Sequence, residues 1–337
     1  MQIVINNIIN KICSETKKTV KHGVIRVTTL TTGSEAWWQS KNGPEWERQK
    51  EKCRVTFWWR DPAGTQKTSL VKRVWLYVTG VTDHHQNARP QSLERIPDTD
   101  VWQWQGEFSP EWRGSYCFIP SVNENDFADT VFEGELPDRM ALREGWRKLL
   151  PHAVSDPLNR QSWRGGRGHA VSALEMPDAP VQPGWDRPDT PYQPPVCIEW
   201  NSERLNTRRR VWIFTTGDDG PERPLAVLLD GQFWAESMPV WPALTSLTTG
   251  RQLPPAVYVL IDAIDMEHRN RELPCNADFW LAVQEELLPL VKKRAPFSDR
   301  ADRTVVAGQS FGGLSALYAG LTWPARIGAV LSLSGSF

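Results

Sequence analysis

Residues Gly308-Gln309-Ser310-Phe311-Gly312-Gly313 follow the apolar run Thr304-Val305-Val306-Ala307 and precede the helical pattern Leu314-Ser315-Ala316-Leu317-Tyr318-Ala319. Strand, G-x-S-x-G and helix in that order put a serine on a sharp turn above a sheet edge. The glycines let strand and helix approach closely, and the helix aims its first N–H groups at any oxyanion formed there. Ser310 therefore reads as a nucleophile. A serine hydroxyl needs an adjacent base, and the base needs an orienting acid. In α/β-hydrolases both follow the serine in chain order. Residues 311–337 hold no His, Asp or Glu. The reading at this stage is an α/β-hydrolase domain that is truncated at its C-terminus.

The six histidines, His22, His84, His85, His152, His169 and His268, all precede Ser310. Only His268, in Asp265-Met266-Glu267-His268-Arg269-Asn270-Arg271-Glu272, follows a strand pattern of the same domain. It falls on the sheet edge where ligands gather, beyond the carboxyl ends of strands. The usual chain order favours a binding loop there over a catalytic base.

These groups need a scaffold, and 337 residues suffice for two domains. A formal net charge of −1 gives no basic signature of a nucleic-acid binder. No apolar run approaches the ~20 residues that cross a bilayer. Cys13, Cys53, Cys117, Cys197 and Cys275 are scattered and odd in number, which fits reduced, mostly buried thiols in the cytoplasm. The asparagine-broken start at Met1 is no convincing signal peptide. Most of the eighteen tryptophans are expected in the core.

Residues 1–33 are polar and are expected to be a poorly ordered extension. Within 34–195 the runs 54–60, 71–78, 101–108 and 114–119 are β-branched and aromatic and are separated by turn clusters. Short strands without intervening helices indicate a β-sandwich of immunoglobulin-like type, followed by a connecting segment with one helix near 139–150. From 196 to 337 the pattern alternates. Strands are expected at 211–215, 225–230 and 256–261, and helices near 233–249 and 276–293. Such alternation means a mostly parallel sheet buried on both faces. The elbow strand is fourth, or fifth if Ile198-Glu199-Trp200 forms an early edge strand.

The chain from about Ser34 onward resembles the enterochelin (ferric enterobactin) esterase family. The markers are Ala36-Trp37-Trp38-Gln39-Ser40-Lys41, Val81-Thr82-Asp83-His84-His85-Gln86-Asn87, Trp163-Arg164-Gly165-Gly166-Arg167-Gly168-His169-Ala170, Leu229-Asp230-Gly231-Gln232-Phe233-Trp234 and the elbow. The resemblance implies an amino-terminal sandwich, an α/β-hydrolase domain and cleavage of a cyclic trimer of dihydroxybenzoyl-serine after ferric import. By analogy Ser310 attacks the seryl ester. The Phe311 N–H and a second donor from Gly231 or Gln232 would hold the oxyanion, a contribution of roughly 3–4 kcal/mol. The family's acid and histidine, downstream of the elbow strand, have no counterpart here, so weak activity is expected of this polypeptide.

A ferric tris-catecholate is anionic and aromatic, so Arg269, Arg271, His268 and Trp234 are the expected binding groups. Trp280 is a further stacking candidate, with core packing the plainer reading. Iron enters only as part of the substrate. No cofactor and no protein metal site are expected, because adjacent histidines such as His84 and His85 point in different directions in a strand or turn. That segment and 164–169 read as loops at the domain interface. A siderophore-binding remnant without turnover and a carbohydrate-ester esterase remain as alternatives.

Overall fold

The computed structural model describes residues 30–86, 88–128, 138–161, 169–185 and 193–337. Most of the expected amino-terminal extension lies outside them. The first domain opens with helix α1 (Glu35–Gln39), capped by the Ser34 hydroxyl, and then runs through seven strands. These are β1 (Glu45–Gln49), β2 (Lys52–Arg60), β3 (Arg73–Val78), β4 (Ser92–Arg95), β5 (Val101–Phe108), β6 (Arg113–Ser121) and β7 (Ser172–Glu175). Helix α2 (Arg139–Leu149) precedes β7 and is capped by Asp138, whose carboxylate accepts the Met140 and Ala141 N–H groups.

The strands form one antiparallel ladder in the order β1-β2-β5-β4-β3-β6-β7. A flat sheet would hold β2 and β6 about 19 Å apart, four strand spacings. Instead the Phe57 ring of β2 meets Tyr116 of β6 at 4.9 Å. The sheet is rolled onto itself, and the short β4 is its corner, pairing with β3 through Leu93 and with β5 through Glu94 and Arg95. Side chains alternate across it. Val74, Leu76 and Val78 of β3 join Phe57, Trp102 and Phe118 in the interior. Trp75 and Tyr77 point outward, where Leu142 and Trp146 of α2 cover them. That double burial explains why β3 reads as a continuous apolar run.

The second domain is a six-stranded sheet in the order β13-β12-β10-β11-β9-β8. Its strands are β8 (Val196–Ser202), β9 (Thr207–Thr216), β10 (Leu225–Leu228), β11 (Ala256–Ile261), β12 (Thr304–Gln309) and β13 (Ala329–Leu333). Strands β10 to β13 pair in parallel, while β8 and β9 form an antiparallel edge. The early edge strand exists, so the elbow strand β12 is fifth in this domain. Helices α3 (Trp241–Thr249), α4 (Met266–Glu272), α5 (Ala277–Ala282), α6 (Leu288–Arg294) and α7 (Phe311–Thr322) connect them.

Val211 and Ile213 face one core with Phe279, Val283, Leu287 and Val291, whereas Trp212 and Phe214 face the other with Trp241 and Leu244 of α3. Between α5 and α6 the chain makes a π-turn, Val283–Leu287, just before Pro289. Proline has no N–H and its ring crowds the carbonyl four residues back, so the wider turn absorbs the misfit. The cysteines divide evenly among the described residues: Cys53 and Cys117 are buried, Cys197 and Cys275 exposed. Burial pushes the Cys117 thiol up to about 12.

Candidate active site

The elbow forms where β12 turns into α7. Ser310 has φ 56° and ψ −121°, a left-handed conformation that an L-residue keeps only when its surroundings enforce it. Three features enforce it. A Cβ on Gly308 would lie 2.3 Å from the Gly312 carbonyl carbon and oxygen, so the two outer glycines of the motif are in backbone contact. The Ser310 N–H donates to the Leu333 carbonyl at 3.0 Å, and the Ser336 N–H donates to the Ser310 carbonyl at 3.2 Å. Small residues of α7 let it lie close on the sheet: a Cβ on Gly313 would sit 2.8 Å from Ser332 Oγ, and one on Gly320 2.5 Å from Val330.

Sheet order brings the second loop to this turn. β10 pairs with β12 in parallel, and the Leu229 N–H donates to the Ala307 carbonyl at 2.9 Å. The next residues, Asp230-Gly231-Gln232, therefore emerge beside the elbow at the carboxyl end of the neighbouring strand. Asp230 is also left-handed, with φ 55°. A side chain at Gly231 would run into the backbone of Leu260 and Ile261 at 2.4–2.5 Å. Gln232 is anchored by its Oε1, which accepts the Ala263 N–H at 3.1 Å. Asp230 Oδ2 is 3.2 Å from the Cβ position of Gly312, so this loop abuts the first turn of α7, where Phe311 is the first helical residue.

Arg269, on α4, closes the arrangement. Its Nε and Nη2 donate to the two Asp230 carboxylate oxygens at 2.6 and 2.9 Å, and Nη2 reaches the Gln309 carbonyl at 3.3 Å. The guanidinium carbon is 5.8 Å from the centre of the Phe311 ring. The Asp230 hydrogen bonds raise the pKa of Arg269, so the guanidinium stays charged. One side chain thus touches the strand before the serine, the ring after it and the neighbouring loop.

The other expected binding groups scatter around this core. His268 Nδ1 and N–H both lie 2.8 Å from Asp265 Oδ1, which caps α4. The His268 N–H holds the Asp265 carboxyl below its ordinary range. Arg271 is more than half exposed and, among the described residues, makes long contacts to Glu267 and Glu272 at 3.8 and 3.6 Å. Trp234 is half-buried in an edge-on contact with Phe233. Trp280 is buried in the core, its Nε1 donating to Ser315 Oγ at 3.0 Å.

Among the described residues the hydrogen-bond partner of Ser310 Oγ is Ser336 Oγ at 3.0 Å. Residues 164–168 lie outside the described residues. The His84 and His85 rings, expected to diverge, lie against each other with centroids 3.9 Å apart and planes tilted by 37°.

A mostly parallel sheet with a strained serine between strand and helix, beside a tight loop at the carboxyl end of the neighbouring strand, is the arrangement of the α/β class of carboxylic ester hydrolases. Residues 54–185 match the family described as enterochelin esterase, N-terminal, and residues 202–337 the family described as putative esterase. The chain is 70% identical to the iron(III) enterobactin esterase of Escherichia coli over 313 residues, which is 92% of this chain and 77% of that protein. The ferric enterobactin esterase structure from Salmonella typhimurium superposes with TM-score 0.85 at 70% identity, covering 90% of this chain and 77% of that one. A Shigella flexneri enterobactin esterase solved in the presence of enterobactin gives TM-score 0.78 at 68% identity, covering 91% and 78%. The chain belongs to the iron(III) enterobactin esterase family.

Proposed function

We propose that this chain is a cytoplasmic serine esterase that hydrolyses ferric enterobactin, or a related catecholate siderophore, to dihydroxybenzoyl-serine units. The observation that carries this reading is Ser310 itself, held at positive φ at the head of α7 beside the Asp230–Gln232 loop. Ser310 Oγ attacks the seryl ester carbonyl. The oxyanion is received by the Phe311 N–H and by Gly231 or Gln232, the C–O bond to the seryl oxygen breaks, and water then releases the acyl group from Ser310. Arg271, His268 and Trp234 meet the anionic, aromatic ligand, while Arg269, occupied by Asp230, acts chiefly by fixing the loop. The reaction calls for no resident cofactor, since iron arrives with the substrate. The amino-terminal domain is of immunoglobulin-like type.

Attack requires a base, and Ser336 is not one. Removing base and acid from an analogous serine hydrolase costs roughly a million-fold in kcat. Hydrolysis therefore depends on a base that reaches Ser310 Oγ, whereas siderophore binding does not. The test is ester hydrolysis of ferric enterobactin by the chain and by Ser310→Ala. Release of dihydroxybenzoyl-serine that is lost in Ser310→Ala, with binding intact in both, is the expected outcome. Binding without Ser310-dependent release would favour a siderophore-binding role instead. Absence of binding, or cleavage of acetylated sugars instead, would overturn the substrate assignment.

A further inference from the structure

Among the family markers that the ester chemistry leaves unused is the loop after β3 that carries Asp83, His84 and His85. It is tightly built. Gly80 takes φ 75°. Thr82 Oγ1 accepts the Val78 N–H at 2.8 Å and donates to the Leu76 carbonyl at 2.5 Å. The Gln86 side chain donates to the Gly80 carbonyl at 2.7 Å. Within that frame the Asp83 carboxylate is buried, 1% exposed, and accepts the N–H groups of Gly80 at 2.9 Å and His85 at 3.1 Å. The Asp83 Oδ2 to His85 Nδ1 distance is 2.9 Å. His84 Nδ1 lies 3.1 Å from the Tyr77 hydroxyl, and its ring lies tilted against that of His85.

An aspartate–histidine pair alone is an ordinary ion pair. Here a third donor converges on it, since one ligand atom from each of Asp83, His84 and His85 lies within 4.8 Å of the others. We propose that Asp83, His84 and His85 form a binding site for a divalent transition-metal ion on the amino-terminal domain. Two imidazoles and one carboxylate suit ions such as Zn²⁺, and three protein ligands leave positions for water.

The geometry fits. Donors at about 2.0–2.2 Å from a tetrahedral metal sit about 3.3–3.6 Å apart, so the 2.9 Å Asp83–His85 pair needs to open by only about half an ångström to admit an ion. The Tyr77 hydroxyl, 3.1 Å from His84 Nδ1, holds the ring in place, as outer partners of metal-bound histidines do. The backbone N–H groups of Gly80 and His85 orient the carboxylate in the same way. His85, 61% exposed, gives the ion a path from solvent. The site stands apart from ester cleavage, so its test needs no turnover.

The experiment is calorimetric titration of the full chain with Zn²⁺ alone, after alkylation of the exposed thiols of Cys197 and Cys275. One Zn²⁺ per chain is expected. His85→Ala, an exposed position that should leave folding intact, should weaken binding more than about 100-fold, and Tyr77→Phe roughly 10–100-fold. Zn²⁺ should raise the melting temperature of the unaltered chain and not that of His85→Ala. Equal affinity in His84→Ala, His85→Ala and the parent chain would overturn the proposal, as would a parent chain that takes up no Zn²⁺ at millimolar concentration.

Discussion

Ser310 occupies a backbone region that costs an L-residue about 1–3 kcal/mol, so neighbouring contacts must outweigh that strain. The Gly308–Gly312 contact prevents any wider turn, and Arg269 ties Gln309 to Asp230. Removing the guanidinium would leave Asp230, itself only 12% exposed, without its charge partner. Arg269→Ala should therefore cost about 2–3 kcal/mol of stability in urea unfolding without ligand. Arg269→Lys should recover less than half, because an ammonium cannot reproduce the two-pronged contact. An unchanged midpoint for Arg269→Ala would mean that the arginine is free for ligand and holds nothing. The glycines and serine of the elbow were legible in the sequence because their spacing is local. The Asp230–Arg269 pair was not, since 39 residues separate its members. Arg269 stood out as a cation for the ligand, and its carboxylate partner carried no signal of its own.

At the scale of elements, β6 is locked to the segment before β7 by a buried network. The Tyr116 hydroxyl donates to Asp156 Oδ2 at 2.7 Å, and Asn159 Nδ2 donates to the Tyr116 oxygen at 3.0 Å. The Asp156 N–H is in turn bonded to Ser172 Oγ of β7 at 2.8 Å. Burial raises the Asp156 carboxyl above its ordinary range, with hydrogen bonds from Tyr116 and the Leu158 and Asn159 N–H groups opposing it. A carboxyl raised in the folded state keeps its proton to higher pH there than in the unfolded chain. Its contribution is therefore fully present below the ordinary value of about 4 and is lost as pH rises through the folded value. Urea unfolding of the parent chain and Asp156→Asn at stepped pH should show the parent gaining relative stability from pH 7 down to about 4. A flat difference, or one of opposite slope, would sink this account.

For the whole molecule, the informative surface is around β13, the outermost strand of the second sheet. α7 covers the side of β13 that carries Val330 and Ser332, through Gly320 and Gly313. The other side is open: Leu331 is 57% and Leu333 49% exposed, with Leu321 and Phe337 also exposed nearby. Among the described residues no strand pairs with the outer edge of β13, and an apolar strand with such an edge is a template for pairing with another chain. This polypeptide should self-associate with rising concentration, and Leu331→Lys combined with Leu333→Lys should lower its light scattering at equal concentration. Scattering that is independent of concentration in the parent chain would refute the expectation. Among the described residues no helix is long and apolar enough to cross a membrane.

The contrast between elements shows where sequence reasoning reached. The helix expected at 139–150 is Arg139–Leu149, and the one expected at 276–293 begins at its Asn276 cap. Caps, hydrophobic period and the glycine-serine turn are written in adjacent residues, so each can be read without the fold. β1 has five residues, none of them buried, and no apolar alternation; it is a strand because the β2 backbone beside it offers a ladder. β4 exists to turn the corner of the rolled sheet, and the contact between the His84 and His85 rings follows from how the loop after β3 is pinned. Local chemistry specified the elbow serine and the order of strands and helices. Which loop, cation and carboxylate would stand beside that serine depended on strands distant in sequence becoming neighbours, a choice set by burial of the whole sheet rather than by any short run of residues.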